Sequence, residues 1–142
     1  MPAVSIYYPI ISMSEWGVGD IITVSGLAVQ VYAAYKDAPD DYKNISEEVA
    51  ALRSLIGKAA QLFRSTTISS DDRRDGQKVL MDCQSVLEDL YSHIEKHKRL
   101  SAYHKSLVFK GGIATLRERL ISSAVLLNGF VRRFAVPAIP FQ

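Results

Sequence analysis

The chain has 142 residues, 48% of them hydrophobic and 23% charged. That composition fits one globular domain able to bury a core without disulfides or metals, and it excludes a disordered or fibrous chain. A single cysteine, Cys83, excludes an intramolecular disulfide, and a formal net charge of +2 is too small to mark a general polyanion binder. The charge is unevenly placed: residues 1–95 hold 8 basic and 14 acidic side chains, residues 96–142 hold 9 basic and 1 acidic.

Residues 1–19 read as an irregular apolar segment. Pro2 and Pro9 interrupt any helix, and no basic stretch precedes the apolar residues, so no secretory signal is expected and a cytoplasmic location is. Asp20, or Gly19 before it, is placed to cap a first helix over about 21–36. The run Ile21–Tyr35 carries no charge, which predicts a central helix. Its fifteen residues span about 22 Å, too short for a bilayer core of roughly 30 Å.

Asp37 to Asp41 form a turn and a helix start. The second helix is expected over about 40–65, because Ile45, Val49, Leu52, Ile56, Ala59 and Phe63 recur at spacings of 4, 3, 4, 3, 4. Ser69 or Ser70, followed by Asp71 and Asp72, caps a third helix that continues to about Arg99 with Val79, Cys83, Val86, Leu90 and Ile94 as its apolar stripe. Gly76 is a weak point in it, costing about 1 kcal/mol against alanine. Gly111-Gly112 predicts a break. A fourth helix then spans about 113–134, on Ile113, Leu116, Leu120, Ala124, Leu127, Val131 and Phe134, and Pro137 and Pro140 follow in an extended tail over 135–142. The predicted fold is therefore all-α: one domain over 1–142, an antiparallel bundle of about four long helices behind an irregular apolar N-terminal segment.

No catalytic or metal constellation emerges. Gly57-Lys58 is followed by Ala59 where a phosphate loop needs serine or threonine. His93 and His97 share a helix face at i, i+4 but stand among basic residues without a third ligand. Cys83 falls on an apolar stripe, where a small buried hydrophobe fits better than a nucleophile. Tyr91, Tyr103 and Phe109 interleave with lysines and Arg99, yet no nucleic-acid motif supports such a partner. The expectation is a protein that is no enzyme and takes no cofactor. The chargeless helix, the apolar N-terminal segment and the basic cluster together suit a membrane surface, because basic residues gain about 1 kcal/mol each near anionic lipid.

The sequence resembles the HeLo-like N-terminal domain of fungal STAND proteins, the fungal counterparts of NOD-like receptors. The residues that carry the resemblance are Gly-Val-Gly-Asp-Ile-Ile-Thr-Val at 17–24, Val-Tyr-Ala-Ala-Tyr-Lys-Asp-Ala-Pro-Asp-Asp-Tyr at 31–42, Ile-Ser-Glu-Glu-Val at 45–49, Cys-Gln-Ser-Val-Leu-Glu-Asp-Leu at 83–90, Ile-Ala-Thr-Leu-Arg-Glu-Arg-Leu at 113–120 and Leu-Asn-Gly-Phe-Val-Arg-Arg-Phe at 127–134. The resemblance implies a helical bundle that executes cell death in heterokaryon incompatibility, oligomerises, and engages the plasma membrane through an apolar N-terminal segment. It makes Ile6, Tyr7, Tyr8, Ile10, Ile11, Ile21, Ile22, Val24, Leu27 and Val31 the candidates for insertion. Lys96, Lys98, Arg99, Lys105, Lys110, Arg132 and Arg133 become the candidates for anionic lipid. The partners it implies are anionic lipids, a second copy of the chain in a dimer or larger assembly, and a STAND receptor domain. Such proteins usually continue into a nucleotide-binding domain and repeats, whereas this sequence ends at Gln142; it is either a domain excised from a longer protein or a standalone short form, and in the standalone case the assembly platform is expected from a partner or from self-association. The alternative is a helical adaptor that recruits a protein without touching lipid.

Overall fold

Amphipathic stripes at helical spacing need partners, and four of them meet here around one core. The computed structural model describes residues 18–38, 42–65, 68–98 and 102–134, with the backbone alone for residue 18 and residues 102–111. It contains α1 (Val18–Lys36), α2 (Lys43–Arg64), α3 (Ser70–Lys98) and α4 (Ala102–Phe134), and no strand among the described residues. The fold is all-α, as the periodicities require.

The stripe read from α2 is buried throughout: Ile45, Val49, Leu52, Ile56, Ala59 and Phe63 all face the core. α3 begins where its cap predicts. The Asp72 N–H donates to Ser69 Oγ at 3.1 Å, and the Arg73 N–H donates to the Ser69 carbonyl at 2.9 Å. Asp71 and Asp72 lie in the first turn, and Lys96, His97 and Lys98 in the last, so both ends suit the macrodipole. The turn after α1 closes with the Ala38 N–H donating to the Tyr35 carbonyl at 3.0 Å.

The bundle is square in section. α1 packs on α2 and α3, α4 packs on the same two, and α2 and α3 barely touch across a diagonal. Consecutive helices run antiparallel, but two of the four neighbouring pairs are parallel. Glu48 pairs with Arg117 and Leu55 lies beside Ala124, so α2 and α4 run the same way. The Tyr35 hydroxyl near the end of α1 donates to the Leu90 carbonyl of α3 at 2.8 Å, in keeping with parallel α1 and α3. One end of the bundle therefore gathers the start of α1, the end of α2, the start of α3 and the end of α4. It carries Arg64, Arg73, Arg74, Arg132 and Arg133; the opposite end carries the last turn of α3 with Lys96 and Lys98.

Three expectations need correction. α4 starts at Ala102, eleven residues before the expected 113, and runs through Gly111-Gly112 without a break. A Cβ at Gly112 would lie 3.2 Å from His93 Cε1, so glycine there leaves room for the imidazole while the helix continues. Gly76 is likewise more than a weak point. A Cβ on it would sit 2.5 Å from Phe130 Cζ and 2.9 Å from Phe63 Cε1, so its bare backbone seats the ring cluster of Phe63, Phe130 and Phe134. The third correction is α1, which holds a corner of the bundle instead of its centre. Ile21, Val24, Ala28, Val31 and Tyr35 face inward, while Ile22 is 58% and Val29 41% exposed.

Candidate interaction surfaces

Four helices that spend one face each on a core leave the seams between them as the places where function can be written. Two seams are crossed by charge. Between α3 and α4, Arg119 reaches Asp89 Oδ2 at 2.7 Å and Ser85 Oγ at 3.4 Å. Further along, Arg133 reaches Asp72 Oδ1 at 2.7 Å and Asp75 Oδ2 at 3.9 Å, with its guanidinium 5.8 Å from the Phe130 ring centre and 5.3 Å from that of Phe134. Between α2 and α4, Arg117 grips Glu48 with both Nε and Nη2 at 2.8–3.0 Å, a fork-on-carboxylate geometry that raises the guanidinium pKa through that hydrogen bond.

Among the described residues no ion pair like these crosses the seam between α1 and α2. Ile22, Ser25, Val29 and Tyr32 recur at spacings of 3, 4, 3 on α1, a second seam beside the buried one. It borders a groove of about 380 Å³ whose other wall is Gly57, Gln61 and Arg64 of α2. Beyond the Glu48–Arg117 clamp, α2 and α4 leave a second apolar groove of about 280 Å³ lined by Ala51, Leu55, Ile121 and Val125, with Ile121 44% and Val125 65% exposed.

The membrane candidates are dispersed. Of the α1 residues named for insertion, Ile21, Val24 and Val31 are fully buried, Leu27 is half-buried against the core, and Ile22 alone is exposed. Ile6, Tyr7, Tyr8, Ile10 and Ile11 lie outside the described residues. The basic candidates do not form one surface. Lys96 and Arg132 are exposed at opposite ends of the bundle. Asp72, the partner of Arg133, stands 24 residues before Lys96 on α3, about 36 Å away at 1.5 Å per residue, several Debye lengths at physiological salt. Lys98 pairs with Glu95 at 3.1 Å. Arg99 and the side chains of Lys105 and Lys110 lie outside the described residues. Among the described residues no helix is long and apolar enough to cross a membrane.

Chemistry-bearing groups are held apart. Cys83 is buried, and burial together with the neighbouring Asp82 carboxylate pushes its thiol up to about 12, which keeps it protonated and unreactive. Burial raises the Tyr35 hydroxyl as well. Among the described residues no three potential metal ligands come together. The α2–α4 groove leaves no mark in the helical periodicity beyond Ile121, Val125 and Leu126, which fall off the α4 stripe and are exposed apolar residues. No protein-family model matches the chain, and no curated protein or solved structure does either.

Proposed function

We propose that the bundle is a helical interaction domain of a signalling or cell-death assembly, which receives an apolar helix of a partner protein along α1. One observation carries this reading: Ile22 and Val29 are exposed on a helix that holds no charge between Asp20 and Lys36, beside a groove of about 380 Å³. A partner helix laid there contributes the apolar contacts that α1 lacks, by the groove-binding mode in which residues at i, i+3 and i+7 serve as anchors. Arg64 at the arginine end of the groove offers a charge for orientation. In a HeLo-like setting the partner is a STAND receptor or another bundle, and the domain acts by recruitment.

The same uncharged face favours one second reading, an effector that lies on or permeabilises anionic membranes. Its support is the exposure of Ile22 and Val29 together with the exposed cation of Lys96. One pair of substitutions separates the two. A photo-crosslinking residue at position 32 is expected to give protein adducts in cells, which Ile22→Glu with Val29→Glu abolishes, while the intact chain leaves anionic and neutral vesicles undisturbed. Dye release from anionic vesicles that the same substitutions abolish would move the function to the membrane; absence of both adducts and release would remove both readings.

A further inference from the structure

Parallel helices put like ends together. α2 and α4 run the same way, so the acid early in each and the base later in each fall at matching ends of their shared outer face. Glu47 and Lys58 stand on α2, Glu118 and Arg132 on α4, and all four are exposed. Among the described residues none of them enters an ion pair, whereas Arg117, Arg119 and Arg133 of α4 all clamp carboxylates. Between the two ends lies the apolar groove of about 280 Å³, with Ala51 and Leu55 on α2 facing Ile121 and Val125 on α4. The levels of the four charges follow from the pairing of the helices. Glu48 meets Arg117, 69 positions later, and Leu55 lies beside Ala124 at the same offset. At 1.5 Å per residue, Glu118 falls about 3 Å from the level of Glu47, Lys58 about 17 Å from it and Arg132 about 24 Å from it. Two carboxylates therefore share one level, and two cations follow one another more than a turn apart at the other end.

We infer that this face receives one amphipathic helix of another protein, laid antiparallel to α2 and α4. Carboxylates in its first two turns stand opposite Arg132 and Lys58, apolar residues cover Leu55, Ile121 and Val125, and a cation near its end sits between Glu47 and Glu118. The unequal levels of the charges suit a single helix: one cation answers both carboxylates at their shared level, and two carboxylates a turn apart answer Lys58 and Arg132. A copy of the same chain related by a two-fold axis cannot match both helices at once. The antiparallel direction also sets the partner's macrodipole against those of α2 and α4, and an acidic start with a basic end is the charge order a helix favours. Within the bundle α3 already follows that rule against α4. Asp72 in its first turn holds Arg133 in the last turn of α4. A partner helix in the opposite direction sets its acidic start on Glu47 and Glu118, and a wholly apolar one leaves all four charges idle.

This face lies on a different side of the bundle from the α1 groove, so either proposal can fail without the other. The test is fluorescence anisotropy of a labelled synthetic helical peptide titrated with the full chain from about 1 μM to 1 mM, where a weak interface is populated. The peptide carries two glutamates one turn apart near its start, leucines on the same face over the next turns, and a lysine about eleven positions after the second glutamate. Saturable binding is expected. Val125→Glu, at a position 65% exposed, keeps the wild-type helical circular dichroism and weakens binding by at least roughly tenfold. A peptide with lysine in place of both glutamates binds at least roughly tenfold more weakly, and Lys58→Glu with Arg132→Glu reverses that preference. Failure of the first peptide to bind, equal binding of the two peptides, or indifference to Val125→Glu overturns the proposal. Sedimentation velocity completes the test. A dimer of the chain that Val125→Glu disperses gives the face to a second copy and overturns the proposal too, whereas sedimentation that Val125→Glu leaves unchanged agrees with it.

Discussion

The α3–α4 side and the α1–α2 side of this bundle cover the same core in opposite ways. On the first, Arg119 and Arg133 close the seam onto Asp89, Asp72 and Asp75, above a cluster of aromatic rings. On the second, no ion pair among the described residues closes the seam, and Ile22 and Val29 stand exposed at the rim of a groove whose one charged lining residue is Arg64. An apolar side chain left in water contributes nothing to folding, whereas the same side chain in a partner's groove gains roughly 25 cal/mol per Å² buried. The closed side is thus explained by the chain alone, and the open side is the one that the proposed partner would cover.

Substitutions that break the closed side should be costly. Phe130→Ala removes the ring that lies against Phe63, Phe134 and Gly76, and should lower stability by about 3–5 kcal/mol in urea unfolding. Alkaline pH comes next. Cys83 titrates at about 12 in the folded protein against 9.0 ordinarily, and Tyr35 is shifted upward too. The unfolded chain loses these protons first, so stability is full below pH 9 and falls as pH rises toward 12. Cys83→Ala should flatten the part of that fall that begins near pH 9, read from urea midpoints across the range.

Gly76→Ala sharpens the comparison because helix propensity and packing disagree. Alanine recovers about 1 kcal/mol of propensity, but its methyl meets the Phe130 and Phe63 rings, and the expected net loss is about 1–2 kcal/mol. Phe130→Leu should relieve that loss, and a double-mutant cycle measures the coupling. Ser69→Ala removes the cap of α3 and should cost about 1 kcal/mol. Arg119→Ala breaks a pair that is half exposed on both sides and should cost at most about 1 kcal/mol, less at high salt.

The stripes of α2 and α3 and the Ser69 cap were legible because each depends on neighbours within a turn or two of the chain. The start of α4 was not. Gly111-Gly112 signals a break locally, and only the imidazole of His93, nineteen positions earlier on another helix, explains why glycine belongs at 112. The corner position of α1 was hidden for a different reason. A run without charge fits a central helix, and a bundle of four in a square has no centre to give it. The clamps of Arg117, Arg119 and Arg133 span 69, 30 and 61 residues, so no spacing rule reaches them. Sequence reasoning grouped Arg132 and Arg133 with the lysines, and the reversal of direction between α3 and α4 puts them at opposite ends.

The most direct test of the account is the stability and crosslinking of Ile22→Gln with Val29→Gln, measured on one preparation. Urea stability is expected within about 0.5 kcal/mol of wild type, as for surface positions, with loss of the protein adduct from position 32. A fall of more than about 2 kcal/mol, the cost of disturbing buried apolar side chains, or an undiminished adduct, would contradict it.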